Sequence, residues 1–458
     1  MNHDLTSGKP FGVLFRFTLP LFGSMLLQQL YNIVDSLVAG KLVNEQALAA
    51  VSDSFEVTLV YLAFAFGCNI GCSVVVSQLF GAGRKRDLKT AVHTTFLFTA
   101  VLCAVLTFVG LLAGKPLLIA IDTPAAVLPD AHAYLNIYTL GLLPLFFYNI
   151  STGIFSALGD SRTPFWFLAG SSVANIGMDV LFVAVFRLGV PGVAWATFLC
   201  QTVSCVLAVV TLLRRLRNLG GEKGDLFSFP LFKRIVSVAI PGTLQQSFIS
   251  VGNLFIQKSI NGYFAEDLLR QAMMAGYGAA MKLNMLTINC LSTVANGVSN
   301  FTGQNFGAKK QDRVRAGCRS AIGIALGFAG LFTFLYLVFG KALVGLFLES
   351  GSEAASGGKA LEIGRAFLLI VSPFYAVVAI KLVFDGVFRG AGATRYFTAT
   401  TFTDLILRVG LAFLLPMCIA SETGGNIWMA WPIGWGVSCL MGTFFYFRGK
   451  WKQGGIVL

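Results

Sequence analysis

Residues 71–87 read GCSVVVSQLFGAGRKRD, and residues 297–313 read GVSNFTGQNFGAKKQDR. Six of the first twelve positions are identical between the two stretches, and a basic loop follows each of them. The offset between them is 226 residues, close to half of the 458-residue chain. A period of this size indicates a duplicated unit rather than a free arrangement of helices.

Two further matches in the same order support the duplication. Residues 153–162, GIFSALGDSR, align with residues 386–395, GVFRGAGATR, at an offset of 233. A proline and an asparagine recur at an offset of 221, as Pro20 with Pro241 and Asn32 with Asn253. Because the three matches keep their order and the offset rises slowly along the chain, they indicate one duplicated unit.

The composition excludes a soluble protein. Hydrophobic residues make up 56% of the chain and charged residues 12%, about half the charged fraction of an ordinary soluble domain. The mean hydropathy is +0.75. Although the net charge is +13, the basic residues stand in short clusters between apolar runs, so orientation in a bilayer explains them better than nucleic-acid binding.

Apolar stretches long enough to cross a bilayer occur twelve times. Their approximate cores are 14–40, 54–81, 89–114, 128–158, 163–187, 190–214, 233–262, 268–304, 317–347, 360–389, 396–419 and 427–447. The sequence therefore predicts an all-α polytopic membrane protein with twelve transmembrane helices in two six-helix lobes. Since six is even, the lobes should be related by a pseudo-two-fold axis along the membrane normal.

The domain boundaries follow from the one long polar interruption, RRLRNLGGEKGDLFSFP at 214–230. We predict an N-terminal six-helix lobe over 1–213, a cytoplasmic linker over 214–231 and a C-terminal six-helix lobe over 232–458. With the N-terminus placed in the cytoplasm, 23 basic residues lie on the cytoplasmic side and 7 outside. This asymmetry predicts that both termini are cytoplasmic.

Enzyme chemistry has little support in the sequence. The nine cysteines form no CxxC, the three histidines stand apart, and no HExxH, GxSxG or Asp-rich cluster occurs. We expect no catalytic residues, no bound metal and no cofactor other than a coupling ion.

Several stretches together resemble the multidrug and toxic compound extrusion (MATE) transporters over the full length. They are LPLFGSMLLQQLYNIVDSLVAG (19–40), SQLFGAGRKRD (77–87), GIFSALGDSRTP (153–164), NIGMD (175–179) and GQNFGAKKQDR (303–313). The resemblance implies two lobes that alternate access and export organic, often cationic, compounds against an inward proton or sodium gradient.

Within that family the chain looks most like the DinF-like branch. That resemblance implies that an aspartate on the first helix and an Asn-x-x-x-Asp pair on the fifth serve the coupling ion, and Asp35, Asn175 and Asp179 match this pattern. The other bacterial branch places an acidic residue on the seventh helix, where this chain has Gln245 and Gln246. A sodium site of that type is therefore doubtful.

Other charges embedded in the spans fall into local pairs. Lys381 with Asp385, and Asp404 with Arg408, are each four residues apart, so each pair can neutralise itself on one helix face. Lys282 has no such neighbour, and we expect Asp385 as its partner across the lobe.

Asp35 and Asp179 have no basic residue within four positions. At about 1.5 Å per residue, Asp35 lies about 9 Å below Lys41 and Asp179 about 12 Å below Arg187, so the two acids share a depth in the outer half of the membrane. We expect Tyr31 and Thr197 to lie near them in the same cavity.

A buried carboxyl group can take up and release protons. The structural alternative is a permanently protonated aspartate that joins helices by hydrogen bonds.

Four prolines lie within spans and favour kinks, at Pro20, Pro144, Pro241 and Pro373. Pro20 is the candidate hinge because it shares a helix with Asp35. Four GxxxG pairs, at 67/71, 303/307, 323/327 and 386/390, predict close helix packing.

These observations favour a proton-coupled exporter of lipophilic, often cationic, molecules, with Na⁺ as the alternative coupling ion. A flippase for lipid-linked sugars shares the architecture and is the competing interpretation. The partners we expect are small organic substrates and the bilayer, with no nucleic acid, and the protein acting as a monomer in the plasma membrane.

Overall fold

The computed structural model describes residues 4–38, 45–121, 123–348, 354–419 and 421–453, with side chains except at 31–38, 45–49, 56 and 354–357. The described residues form helices and no strand. The helices of the first half are α1 (Pro10–Val38), α2 (Glu45–Gly81), α3 (Lys85–Ala120), α4 (Leu128–Leu140), α5 (Leu142–Ala157), α6 (Arg162–Val180) and α7 (Gly189–Asn218).

The second half repeats this arrangement. Its helices are α8 (Phe229–Asn261), α9 (Asp267–Gly307), α10 (Gln311–Gly345), α11 (Ala354–Val371), α12 (Tyr375–Gly390), α13 (Thr394–Cys418), α14 (Gly425–Trp428) and α15 (Ala430–Arg448). A 3₁₀ turn, Ser372–Phe374, separates α11 from α12, and another, Lys450–Gln453, follows α15.

Each predicted span corresponds to one helix or one broken helix. The fourth span is bent by 51° between α4 and α5. Pro144, in the first turn of α5, lacks the N–H that would bond to the carbonyl of Leu140, and its ring crowds that carbonyl. The tenth span is interrupted at Pro373 for the same reason. The predicted kink at Pro144 is confirmed, whereas at Pro373 the structure shows a 3₁₀ turn and the kink stays a prediction.

Nine helices of the described residues are long and apolar enough to cross a membrane, or ten if the bent pair counts as one span. The central helix α9 does not pass this test, although it has 41 residues. Its buried face carries many polar groups, including Asn284, Asn300, Gln304 and Asn305. A helix surrounded by other helices needs less apolar surface than one that faces lipid, which explains its low hydropathy.

Two apolar cores hold the bundle together. One consists mainly of residues from α2 to α7, and the other of residues from α8 to α15. Leu5, Leu14 and Phe17 belong to the second core, so the start of the chain packs on the half that follows it. Helices α7 and α8 extend into the predicted 214–231 linker, where residues 219–228 are not helical. The domain boundaries stay a prediction.

Close helix packing is found at three of the four GxxxG pairs. A Cβ on Gly67 would lie 1.9 Å from Thr243 Oγ1 of α8, and one on Gly386 would lie 2.4 Å from the carbonyl oxygen of Ala295 on α9. The pair 303/307 meets α2 in the same way. The prediction is wrong for 323/327, where a Cβ on Gly323 or Gly327 would meet nothing within 4 Å.

Candidate functional site

Helix α6 buries a polar stripe. Apart from Pro164 at its start, its buried residues are Ser172, Asn175 and Asp179, at relative positions i, i+3 and i+7. This spacing places the three side chains on one face of a helix. Asp179 is fully buried and Asn175 is 3% exposed. The structure thus brings the predicted amide and carboxylate together inside the membrane.

Asp35 and Tyr31 lie on α1, but their side chains are outside the described residues. Helix α1 packs against α6. A Cβ on Gly23 of α1 would lie 2.9 Å from Phe165 of α6, which fixes the register of the two helices. From this contact Asp35 is twelve residues further along α1 and Asp179 fourteen residues further along α6. At about 1.5 Å per residue the two positions lie about 18 Å and about 21 Å beyond this contact, and their shared depth in the membrane stays a prediction.

Thr197 lies on α7, which also packs against α6, and its side chain is half-buried. Pro20 lies inside α1, which is helical without a break from Pro10 to Val38. The hydroxyl of Ser24 donates to the carbonyl of Pro20 over 3.1 Å. The roles of Thr197 in the cavity and of Pro20 as a hinge stay predictions.

A π-helical turn, Leu181–Val185, directly follows the polar stripe. The N–H of Phe186 donates to the carbonyl of Leu181 over 3.0 Å, which is the wider i→i+5 pattern. Such turns are rare and occur often at functional sites. No residue in LFVAV differs from ordinary apolar helix residues, so the sequence contains no signal for this turn.

The two predicted ion pairs of the second half are both formed within their own helices. Lys381 Nζ lies 2.7 Å from Asp385 Oδ2, and Thr400 donates to Asp385 Oδ1 over 2.6 Å. Arg408 lies 3.2 Å from Asp404 Oδ2. Each of these acids is therefore held in an ion pair on its own helix.

The expected pairing of Lys282 with Asp385 is wrong. Asp385 is already held by Lys381 and Thr400, whereas Lys282 is exposed and its ammonium lies 5.6 Å from the ring centre of Phe347. On the seventh span Gln245 donates to Thr401 of α13 over 3.1 Å. Gln245 thus joins α8 to α13, on the helix where the other bacterial branch has an acidic residue.

The duplicated motif joins the two halves. We call the end of the bundle where α1 begins and α15 ends the terminal face. There Gln78 donates to the carbonyl of Gly390, and Gln304 donates to the carbonyl of Ala157, each over 2.8 Å. The two bonds are related by the duplication, because Gln78 corresponds to Gln304 at the offset of 226 and Ala157 corresponds to Gly390 at the offset of 233. We call these two bonds the glutamine latch.

Glycines allow the close approach at this latch. A Cβ on Gly81 would lie 1.9 Å from the carbonyl oxygen of Gln304, and one on Gly307 would lie 1.9 Å from that of Gln78. The identical glutamines and glycines of the two motifs were the sequence signal. The sequence alone indicates only a duplication, because the partner carbonyls lie 312 and 147 residues away in the chain.

No three His, Cys, Asp or Glu side chains gather as metal ligands in the part of the chain that the structure describes. The candidate site has two parts, which are the polar stripe of α6 and the glutamine latch at the terminal face. A multi-pass helical protein with such a site belongs to the class of membrane transporters.

Comparison with known proteins identifies the family. The MatE profile matches residues 20–181 and 260–414, which is more than half of the chain, so the protein belongs to the MatE family of multidrug efflux transporters and is not an enzyme. The probable multidrug resistance protein YpnP of Bacillus subtilis (strain 168) is 27% identical over 461 residues, which cover 98% of each chain.

Other matches agree with this. The FAD transporter of Shewanella oneidensis is 24% identical over 389 residues, covering 84% of this chain and 83% of its own. A solved structure, the outward-facing conformation of a multidrug resistance MATE family transporter of the MOP superfamily, has a TM-score of 0.89 at 22% identity and covers 99% of this chain and 98% of that chain. The predicted fold class, with twelve helices in two six-helix lobes, is confirmed.

Proposed function

We propose that the protein is a secondary active antiporter that exports lipophilic, often cationic, compounds in exchange for protons. The observation that carries this proposal is the polar stripe of α6, where Asn175 and Asp179 are buried inside the membrane beside the helix that carries Asp35. An ionisable group in a transmembrane helix is costly and marks a substrate or ion pathway by default.

The coupling follows from the charge of these acids. When ionised, Asp35 and Asp179 attract a cation and repel each other, which favours a wet, open outer cavity. When protonated, they can pack in a drier arrangement. Proton and substrate then compete, because each binds a different conformational state more tightly.

The glutamine latch supports alternating access. In the orientation we propose, with cytoplasmic termini in the plasma membrane, the terminal face is the cytoplasmic side. Gln78 and Gln304 join the lobes there, so their two bonds must break before a substrate can enter from the cytoplasm. We also propose that the protein belongs to the DinF-like branch and acts as a monomer.

Transport by purified protein tests this function. Proteoliposomes containing the chain should accumulate ethidium under an imposed proton gradient and should not do so under a sodium gradient alone. Dependence on sodium alone would change the coupling ion. Absence of transport under both gradients, together with movement of lipid-linked sugars, would contradict export and favour the flippase.

A further inference from the structure

A loop of the first half and its counterpart in the second half differ by one acidic residue. In the first half, Asp160 lies between α5 and α6 and is buried. It accepts hydrogen bonds from the N–H of Arg162 and Thr163, each over 3.0 Å, from the Thr163 hydroxyl over 2.6 Å, and from Arg215. This carboxylate joins the loop to the end of α7.

The surroundings of Asp160 favour its ionised form. Burial by itself would raise the pKa of Asp160, but the hydrogen bonds from Thr163 and Arg215 and the charge of Arg215 lower this pKa below its ordinary value. The first half therefore supplies its own anion to the cations at this corner of the terminal face.

The second half keeps the cations and lacks the anion. At the offset of 233, Asp160 corresponds to Ala393, Arg162 to Arg395 and Arg215 to Arg448. The Ser-Cys pairs at 204–205 and 438–439 align at an offset of 234 instead, which pairs Arg448 with Arg214. Arg448 therefore corresponds to an arginine of α7 in either alignment. Ala393 is buried like Asp160 but has no polar side-chain atom.

Two adjoining recesses lie at this corner. One of about 250 Å³ is lined by Arg395, Tyr396, Phe445, Arg448 and Lys450. The other, of about 290 Å³, shares three of these residues and reaches Ala393. Together they form a space, which we call the basic recess, at the place where the first half holds a carboxylate.

None of the side chains that line the basic recess is acidic. From Gly386 to the end of the chain the sequence contains only Asp404 and Glu422. Asp404 is paired with Arg408, and Glu422 follows α13 at the opposite end of the bundle. The guanidinium of Arg395 donates to the hydroxyl of Tyr396, a neutral group. Among the described residues, none of the ion pairs involves Arg395, Arg448 or Lys450, so these cations are the groups of the recess that can bind an external anion.

The basic recess adjoins the lipid-facing side of α15. Phe444 is 58% exposed and Phe447 is 78% exposed, and both flank Phe445 in the recess wall. Exposed aromatic rings at the end of a membrane-spanning helix are suited to contact lipid. A ligand with a phosphate group and acyl chains would occupy the basic recess and also cover the exposed rings of α15, whereas free phosphate would occupy only the recess.

We propose that the basic recess binds the phosphate group of an anionic phospholipid in the leaflet at the terminal face. Basic pockets between transmembrane helices on the cytoplasmic side are suited to such head groups. Arginine binds phosphate through charge-assisted hydrogen bonds, as Arg215 binds Asp160. This site is independent of which ion drives transport.

Native mass spectrometry of the purified full chain tests the proposal. The protein is incubated with phosphatidylglycerol and phosphatidylcholine of the same acyl chains, and retention of phosphatidylglycerol should exceed that of phosphatidylcholine. Arg448→Gln should lower this retention about fivefold, the factor that corresponds to about 1 kcal/mol per cation. Equal retention of the two lipids by the unmutated protein would overturn the proposal.

Restoring the missing carboxylate is the sharper test. Ala393→Asp should lower phosphatidylglycerol retention, because the new acid would pair with Arg448, whereas Ala393→Asn, of the same size but neutral, should lower it much less. Lys452→Gln removes a cation outside the recess and should leave retention unchanged. Equal retention by the Asp and Asn variants would contradict the proposal.

Excess inorganic phosphate separates the two sources of the anion. If it displaces phosphatidylglycerol, the recess is a site for soluble anions and the lipid proposal is wrong. If it does not, the lipid proposal is supported. Thermal unfolding of each variant verifies folding, and Arg395→Gln replaces Ala393→Asp if the latter does not fold.

Discussion

The two lobes share one scaffold and treat their embedded charges differently. In the second lobe, Asp385 and Asp404 each have a cation one helical turn away, and both pairs are closed in the structure. In the first lobe, Asp179 shares its helix face with an amide and a hydroxyl, and α6 has no Lys or Arg between Arg162 and Arg187.

Corresponding positions make the difference sharper. At the offset of 233, Asp179 corresponds to Ala412 and Asn175 to Arg408, and at 221 Asp35 corresponds to Ile256. Ala412 and Ile256 are fully buried in the apolar core of the second lobe. The duplicated scaffold therefore tolerates apolar residues at these places, which argues that helix packing alone does not require the acids of the first lobe.

Breaking an ion pair in the second lobe should give the largest loss of stability. Lys381→Met leaves Asp385 as an uncompensated buried charge and should cost about 3–5 kcal/mol in the free energy of unfolding. The double variant Lys381→Met/Asp385→Leu should recover most of this loss. Thermal unfolding in detergent measures both. If the double variant is as unstable as the single one, Lys381 and Asp385 stabilise the lobe by more than compensating each other's charge.

Filling the contact between the lobes should have the next largest effect. Gly307→Ala places a methyl group against the carbonyl of Gln78, and overpacking of this kind costs about 1–3 kcal/mol. Gly327→Ala is the matched control in α10, where a Cβ meets nothing within 4 Å, and should change stability by less than about 0.5 kcal/mol. Equal unfolding temperatures for the two variants would contradict the close contact of α9 with α2.

Removing the glutamine latch should have the smallest effect on stability and a clear one on conformation. Each bond lost in Gln78→Met or Gln304→Met is worth about 0.5–1.5 kcal/mol, so each variant should shift the equilibrium toward the cytoplasm-open state about two- to twelvefold. Labelling of a cysteine introduced near the latch, after removal of native thiols, reports this state. Gln304 also accepts a hydrogen bond from the N–H of Leu5 over 3.0 Å, so Gln304→Met should destabilise the protein more than the loss of the latch bond alone. A conformational shift for only one of the two variants would break the symmetry of the latch.

The sequence predicted the architecture well because it rests on apolar length and on repetition. Twelve spans, the kink at Pro144 and the pairing of Lys381 with Asp385 all follow from local spacing. The partner of Lys282 was predicted wrongly, because its position relative to Asp385 depends on how the helices turn toward one another.

Other features could not be obtained from local patterns. The latch depends on which loop meets which motif, and the π-helical turn after Asp179 replaces an ordinary helical turn without any distinctive residue. The basic recess became visible only when Ala393 was compared with Asp160 in the folded chain, since an alanine in a loop carries no signal of its own.

The most direct test of the central claim is gradient-driven ethidium efflux by Asp35→Asn and Asp179→Asn, with Asp404→Asn as the matched control in the second lobe, all at equal expression. The first two variants mimic the protonated acid and should fold normally while efflux falls about 5- to 150-fold, the range of a coupling free energy of 1–3 kcal/mol. Asp404→Asn should reduce stability and retain proton-driven efflux in the protein that folds. Efflux by Asp35→Asn and Asp179→Asn at the unmutated rate, with the same response to the proton gradient, would contradict the account and leave these acids as structural hydrogen-bonding residues.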